Sequence, residues 1–303
     1  MNKINKLIDN YDLRLNKYTI KGKTILLDTD KGLLALKNKN RSNDSNILSY
    51  LDSRSFNYYP KIIYDSDDYI VSEGIKEIDM PIEQKMSDLI DLVSLLHSKT
   101  THYKEVDLDD YQKLYEDIKN NIIYLRSYYE DYLDVAFNHV FMSPSEYLFS
   151  RNSTKIFAAL YYAENELEKW YKLVHEKRKQ RLVVLHNNLE LSHFLRDKKP
   201  YLISWDKAKI GMPVFDIYKL YYKHGVDYEF LELLKRYERN YPLLEEERKL
   251  LFILMAIPEK IDFNSDEYNL SKNISRFIDR IYKTEMIISP YNSKNTKEEN
   301  YIK

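Results

Sequence analysis

The stretch VVLHNNLELSHFLRDKKPYLISWDKAKIGMPVFDIYKLYY, Val183 to Tyr222, changes its hydrophobic pattern twice. Its first residues belong to the apolar run LVVLH, which predicts a short strand. The next segment, HFLRDKKPYLISW, predicts a β-hairpin that turns at Asp197–Pro200. Apolar residues at helical spacing begin at Phe215. The stretch therefore places a strand and a hairpin inside a region that is otherwise predicted to be helical.

The N-terminal region, residues 1–76, is predicted to be rich in strands. The segment YTIKGKTILLDTDKGLLALK has three apolar stretches, separated at Lys21–Gly22 and Asp28–Gly32, which favour turns. SNDSNILSYLDS follows with apolar residues at helical spacing behind a Ser/Asn/Asp start. YYPKIIYD and DYIVSEG predict two further strands. The region is thus predicted to contain five strands, with one helix between the third and the fourth.

The region from 77 to 288 is predicted to be mainly helical. PIEQKMSDLIDLVSLLHSKT opens with proline at a position typical of a first helical turn. The basic run KRKQR, Lys177–Arg181, is interpreted as a solvated helix end. The polar tail, residues 289–303, is predicted to be disordered. The chain therefore divides into a strand-rich region, a helical region that contains residues 183–216, and a tail.

Composition excludes several classes of function. The chain has 303 residues, of which 44% are hydrophobic and 31% charged, as in globular proteins. Its formal net charge of -1 argues against nucleic acid and anionic membranes as partners. The absence of cysteine excludes disulfides, thiolate metal sites and a cysteine nucleophile. No apolar run reaches about 18 residues and the N-terminus lacks an apolar signal core, so we expect a cytoplasmic protein.

A family resemblance rests on residues of the quoted stretch and its surroundings. The stretch keeps the frame of the pattern H-G-D-x-x-x-x-N followed by I-D-W-E-x-A-x-x-G-D-P-x-x-D, through His186, Ile203, Trp205, Ala208, Gly211, Pro213 and Asp216. The chain thereby resembles the aminoglycoside phosphotransferase and choline kinase-like superfamily. LLALK, YPKIIYDSDDYIVSEGI and LVSLLHS are similar to further segments of that family. Within the superfamily, the chain is weakly similar to the spore-coat branch of CotS-like proteins.

The resemblance implies an α+β, two-lobed, protein-kinase-like fold. The small N-lobe would be a five-stranded antiparallel sheet with one helix, over residues 1–76. The larger C-lobe would be mainly helical, over residues 77–288, and would contain the catalytic-loop hairpin within residues 183–216.

Three positions that carry chemistry in the family are substituted in this chain. Asn188 occupies the position of the family's catalytic Asp, and an amide cannot accept the proton of a substrate hydroxyl. His193 and Ser204 stand at the two magnesium ligands, although magnesium prefers charged oxygen ligands. Asp206 and Glu190 are the nearby carboxylates that are candidates to replace them as metal ligands.

The resemblance also implies a nucleotide site on the N-lobe. Lys37 stands at the position of the phosphate-binding lysine, and Asp44 is the candidate for its carboxylate partner. Ser72 and Gly74 stand near the hinge. ATP and magnesium are therefore the implied cofactors, although the substitutions leave neither assured. A simple surface lysine is the alternative interpretation of Lys37.

His186 and Asp216 are interpreted as braces of the catalytic loop and not as catalytic groups. Three hypotheses follow. The first is a pseudokinase with a binding or scaffold role, whose partners are proteins of a spore coat or another assembly. The alternative is an active ATP-dependent kinase that phosphorylates a hydroxyl group of a small molecule through rearranged metal ligands. The third is a purely structural protein whose cleft is filled by large side chains, Met212 among them.

Overall fold

The computed structural model describes residues 13–38, 44–106 and 108–301. The chain forms two compact units. The first comprises the chain through Thr100 together with His186–Lys209, and the second comprises Thr101–Leu185 together with Ile210–Lys303. This division does not test the predicted lobe boundary after residue 76, which stays a prediction.

The first unit contains the predicted five-stranded sheet. Every neighbouring pair of strands is antiparallel, and the order is β1-β2-β3-β5-β4. A helix, α1, lies between the third and fourth strands in the chain, as predicted. The elements are β1 Leu15–Lys21, β2 Thr24–Thr29, β3 Gly32–Asn38, α1 Asp44–Ser53, β4 Ile62–Asp65 and β5 Tyr69–Glu73.

Alternation along the strands gives this sheet two different faces. One face is buried in an apolar core made by Leu13, Leu27, Leu34, Leu36, Tyr69 and Val71. The opposite face carries Leu33, Ala35 and Lys37 of β3. Leu26 of β2 and Ser72 of β5 both pair with Ala35 and therefore lie on that same face. The sheet thus presents Lys37 on the side away from its own core.

The rest of the chain adds seven helices and five short strands among the described residues, together with two single 3-10 turns at Leu191–His193 and Trp205–Lys207. The elements are α2 Ile82–Thr100, β6 His102–Glu105, α3 Leu108–Asn138, α4 Pro144–Val174, β7 Lys179–Leu185, β8 Phe194–Arg196, β9 Pro200–Leu202, β10 Lys209–Gly211, α5 Val214–His224, α6 Phe230–Asn240, α7 Glu245–Ala256 and α8 Glu267–Tyr301. No helix within the described ranges has the length and apolarity needed to cross a lipid bilayer.

The predicted hairpin is formed by β8 and β9, and hydrogen bonds attach it to other parts of the first unit. The amide of Leu202 donates to the carbonyl of Tyr58 at 2.7 Å, and the amide of Ile78 donates to the carbonyl of Arg196 at 2.8 Å. Trp205, just after the hairpin, packs edge-on against Phe56. The hairpin is therefore fixed within the first unit, next to the segment that follows β5.

In the second unit, two predictions made around residue 180 need correction. A strand, β6, was missed; it pairs with β7 in a three-stranded sheet of order β10-β7-β6. The interpretation of Lys177–Arg181 as a helix end is wrong, because α4 ends at Val174 and β7 begins at Lys179. Arg181 lies in β7 and forms a buried bidentate ion pair with Glu247, which stabilises the strand position.

The end of the last helix also differs from the prediction. Helix α8 continues past Ile288, where the sequence pattern placed the start of a disordered tail. Tyr291 packs against Phe252, and its hydroxyl donates to Glu238 at 3.0 Å. The boundary predicted at residue 288 is therefore placed too early.

Candidate nucleotide-binding site

The ion pair between Lys37 and Asp206 is the central feature of the candidate site. Lys37 Nζ lies 3.0 Å from Asp206 Oδ1, and both residues belong to the first unit. The side chains are 35% and 23% exposed, so water reaches the pair without surrounding it. The sequence singled out both residues but did not pair them. Lys37 is therefore not a simple surface lysine, and its charge is directed at the segment that follows the hairpin.

The surroundings of Asp206 keep its carboxylate ionised. Partial burial raises the pKa of Asp206, but the hydrogen bond and charge of Lys37 outweigh burial. The net result is a pKa of Asp206 below its ordinary value. At neutral pH the two charges at this position therefore cancel each other.

The segment from His186 to Ser204 is held by ring-to-backbone hydrogen bonds. His186 is fully buried, and its Nε2 donates to the carbonyl of Ile203 at 2.9 Å. Nδ1 of His193 donates to the carbonyl of Asn188 at 2.8 Å. Because a carbonyl can only accept, each of these two ring nitrogens carries a proton. Both rings thus contact backbone carbonyls of this segment, and the role of His186 as a brace of a catalytic loop stays a prediction.

Two residues of this segment adopt a left-handed backbone conformation. Asn187 has φ 59° and Ser204 has φ 66°. Asn187 occupies the position of the glycine in the H-G-D pattern, and asparagine tolerates this conformation better than most residues. Its Nδ2 donates to the carbonyl of Lys207 at 2.8 Å, which joins the loop to the segment that contains Asp206. Ser204 has no such advantage, so its conformation stores strain at this position.

The donor set does not fit a magnesium ion. At the two family ligand positions, His193 offers an imidazole that is bonded to a carbonyl, and Ser204 offers a neutral hydroxyl. The Asp206 carboxylate is already bonded to Lys37. In the part of the chain that the structure describes, no group of three His, Asp or Glu side chains is placed to hold a metal. Magnesium needs several charged or strongly polar oxygens, which these residues do not supply.

Glu190, the other candidate replacement ligand, is directed at its own loop. Its Oε2 accepts a hydrogen bond from Ser192 Oγ at 3.3 Å, and its backbone carbonyl accepts from the amide of His193 at 3.0 Å. These contacts give Glu190 a local role in the 3-10 turn and do not support its role as a metal ligand.

Gly74 has a structural explanation. Its amide donates to the carbonyl of Leu33 at 2.8 Å. A Cβ at this position would lie 2.5 Å from Leu33 Cγ and 2.9 Å from the Leu33 carbonyl carbon. Glycine is therefore needed where the chain leaves β5 and passes over the start of β3. Ser72 lies in β5 on the Lys37-bearing face, and the predicted contacts of both residues with nucleotide stay predictions.

A pocket of about 580 Å³ lies on the Lys37-bearing side of the sheet. Its walls are strand residues of that face together with the segment that follows β5, and this volume is in the range of small-molecule sites. None of these residues was predicted as a site residue from the sequence, and the linker among them carries no periodic signal. The lining residues are Lys21, Leu26, Leu33, Ile75, Lys76, Glu77, Ile78, Asp79, Met80, Ile82 and Lys85.

Two predicted site residues are not placed in this site by the structure. Asp44 begins helix α1, but its side chain lies outside the described part of the chain, so its proposed pairing with Lys37 stays a prediction. Asp216 is fully buried in the first turn of α5, in the second unit. Its predicted role as a loop brace also stays a prediction.

Comparisons with known proteins bear on the fold. No family model matches the sequence, and no curated protein matches it. Among solved structures, the chain is similar to an aminoglycoside phosphotransferase from Alicyclobacillus acidocaldarius subsp. acidocaldarius. The TM-score is 0.71 at 11% identity, over 95% of this chain and 94% of that chain.

A spectinomycin phosphotransferase is similar in two structures. In its AMP-bound complex the TM-score is 0.56 at 13% identity, over 93% of this chain and 97% of that chain. In its complex with ADP and spectinomycin the TM-score is 0.51 at 13% identity, over 94% and 98%. At these identities the similarity shows the fold alone. The chain thus has the kinase-like α+β fold of aminoglycoside phosphotransferases, as predicted, whereas membership of a spore-coat branch stays a prediction.

Proposed function

We propose that this protein is a pseudokinase, which binds a nucleotide on a kinase-like fold and does not catalyse magnesium-dependent phosphoryl transfer. The observation that carries the proposal is the Lys37–Asp206 ion pair, together with the substitutions at Asn188, His193 and Ser204. The lysine and the frame of the loop are retained. The base is not, and the charged oxygens needed for magnesium are missing at the family's ligand positions.

The expected loss of catalysis is large. Removing one group that stabilises charge in a transition state commonly costs 10²-fold to 10³-fold in rate, about 2.7–4 kcal/mol. Phosphoryl transfer depends almost entirely on positioning and on such electrostatic stabilisation. Three substitutions within one site are therefore expected to reduce transfer to the background rate.

Nucleotide binding is supported by the pocket and by the fold. The pocket of about 580 Å³ lies on the same sheet face as Lys37, so an adenosine group in the pocket and a phosphate at the lysine are compatible with one ligand. The spectinomycin phosphotransferase of similar fold was solved with AMP and with ADP. The open volume argues against the third hypothesis, in which large side chains fill the site.

An active kinase is the alternative, and Asp206 is the observation that favours it. Asp206 is ionised and lies beside Lys37, so it could act as a metal ligand if a nucleotide phosphate displaced it from the lysine. In that case activity would depend on Asp206 and on magnesium. The two functions therefore differ in a measurable way.

The test combines phosphotransfer and binding on one protein preparation. ATP consumption is measured with magnesium and with alcohol acceptors such as choline, ethanolamine and spectinomycin, for the wild type and for Asp206→Ala. A variant that restores the family pattern, Asn188→Asp with His193→Asn and Ser204→Asp, serves as the positive control. We expect no turnover by the wild type and magnesium-dependent turnover by the restored variant. Turnover by the wild type that is lost in Asp206→Ala would establish the kinase instead.

In the proposed scaffold role, the pseudokinase would bind a protein partner. The association with a spore coat or another assembly, and the location in the cytoplasm or in a coat, stay proposals. They are tested by locating the tagged protein in sporulating and growing cells of the source organism.

A further inference from the structure

The turn that joins α3 to α4 exposes three large apolar side chains within five residues. Val140 is 90% exposed and Phe141 is 89% exposed, and Phe137, in the last turn of α3, is 62% exposed. We call Phe137, Val140 and Phe141 the apolar tip. Single apolar residues on a surface need no explanation, but a contiguous exposed group is typical of an interaction site.

Hydrogen bonds fix the base of the apolar tip. Ser143 begins α4 with a capping box, in which the Ser143 hydroxyl accepts from the amide of Glu146 and the Glu146 carboxylate accepts from the amide of Ser143. Nδ1 of His139 lies 2.7 Å from Glu146. Glu267 of α8 accepts from the amide of Ser145 at 2.6 Å. The backbone that carries the exposed apolar side chains is thus attached at several points.

The surface that leads to the apolar tip is acidic. Glu130, Asp131 and Asp134 are exposed on α3, one to two turns before the tip. Glu130, Asp134 and Phe137 follow one another at spacings of four and three residues, so they share a face of the helix. Residues 127–150 contain no lysine or arginine. Arg126, one turn before Glu130, is paired with Glu164 at 2.6 Å. The tip therefore combines apolar anchors with an acidic helix face.

This charge pattern distinguishes between partners. An anionic membrane surface attracts basic segments and would be repelled by the acidic face. A second copy of the same tip would place like charges together. A protein segment with lysine or arginine beside apolar residues is complementary on both counts, because its charges steer association and its apolar residues cover the aromatic rings.

We propose that the apolar tip is the docking site for a basic, amphipathic segment of another protein. Phe137 and Phe141 are the anchors, and each aromatic ring buries roughly 150–250 Å² when it is fully covered. The tip alone is smaller than one side of a standard interface, about 800 Å². The acidic face of α3 completes the contact, which makes the association dependent on salt.

The test selects peptides of 16 residues from a random displayed library against the immobilised full chain. We expect enrichment of peptides that combine Lys or Arg with Phe, Leu, Ile or Trp. Their binding to the variant Phe137→Ser/Val140→Ser/Phe141→Ser should be at least about tenfold weaker, because aromatic anchors dominate such interfaces. Binding to the wild type should also weaken between 50 and 500 mM salt, a range over which the Debye length falls several-fold.

Two control variants test whether peptide binding is specific to the apolar tip. Tyr161→Ser and Met286→Ser remove large apolar groups that are 64% and 71% exposed elsewhere on the second unit, and peptide binding should not change. The triple variant should keep the thermal midpoint of the wild type within a few degrees, because its side chains are exposed.

Several outcomes would overturn the proposal. These are no enrichment, enrichment of acidic or purely polar peptides, and binding that survives in the triple variant. Flotation with vesicles of phosphatidylcholine, with and without phosphatidylserine, tests the other class of partner. Association of the wild type with either vesicle that is lost in the triple variant would assign the apolar tip to lipid instead of protein.

Discussion

Lys37 forms an ion pair with Asp206, so an anionic ligand must compete with this carboxylate for the lysine. A phosphate group that approaches Lys37 competes with a carboxylate 3.0 Å away. The pair carries no net charge, whereas each added phosphate brings at least one negative charge. The site therefore offers little compensation to a triphosphate unless Asp206 moves.

Replacing Asp206 by Asn should release Lys37 and strengthen phosphate binding. Partly exposed ion pairs contribute about 0.2–1 kcal/mol, so we expect up to about fivefold tighter binding of ADP to Asp206→Asn. Isothermal titration calorimetry without magnesium measures this change. Lys37→Met is the matched control and should weaken binding. Weaker binding to Asp206→Asn than to the wild type would show that Asp206 contacts the ligand favourably.

Ser204 is the second residue for which we predict the effect of a substitution, because its backbone is left-handed. A non-glycine residue in the left-handed region costs about 1–2 kcal/mol, and glycine removes most of this cost. We expect Ser204→Gly to raise the free energy of unfolding by about 1 kcal/mol in urea denaturation. Asn187→Gly is the control; it should give no gain, because it also removes the hydrogen bond to the carbonyl of Lys207. An unchanged or lower stability of Ser204→Gly would mean that the serine side chain offsets the strain.

The passage from β5 to the following linker depends on the close approach of Gly74 to Leu33. An added Cβ would meet the backbone of Leu33 as well as its side chain, so the clash cannot be relieved by a rotamer change. We expect Gly74→Ala to lower the free energy of unfolding by about 1–3 kcal/mol, as overpacking does. Gly22→Ala is a useful comparison, because Gly22 is left-handed but has open space around its Cβ. If Gly74→Ala costs less than Gly22→Ala, the approach is not tight.

Strand β7 and helix α7 are joined by the buried ion pair of Arg181 and Glu247, whose side chains are 10% and 4% exposed. Arg181→Met would leave a buried carboxylate without its partner, and such losses cost about 3–5 kcal/mol. Chemical denaturation should show this loss for the single variant. The double variant Arg181→Met/Glu247→Gln should recover part of it, because the unpaired charge is gone. A single variant as stable as the wild type would contradict the account.

Some elements are specified by residues close in sequence, and others depend on tertiary contacts. The five strands and the hairpin at Asp197–Pro200 were predicted correctly, because glycine, proline and alternating apolar residues specify them within a few positions. Strand β6 was missed because HYKE has little apolar character, and its pairing with β7 comes from tertiary contact. The Lys177–Arg181 error has the same origin, since Glu247 is distant in sequence.

For the molecule as a whole, the kinase-like fold could be predicted because a frame of spaced residues, His186, Trp205 and Gly211 among them, matches the family pattern although its charged positions differ. The candidate site was predicted only in part. Lys37 and Asp206 were both singled out, but their pairing spans 169 residues of chain, which no local pattern reports. The pocket on the Lys37-bearing face of the sheet is lined largely by linker residues, which follow no hydrophobic period.

Thermal unfolding tests the proposal that the protein binds nucleotide without magnesium-dependent catalysis. The wild type and Lys37→Met are unfolded with millimolar ATP, once with EDTA and once with magnesium, and Lys61→Met serves as the matched lysine control. At about a hundred times its dissociation constant, a ligand adds about 2.7 kcal/mol to stability. We expect a stabilisation of the wild type and of Lys61→Met that is equal with and without magnesium and is lost in Lys37→Met. A stabilisation that requires magnesium, or none in either condition, would contradict it.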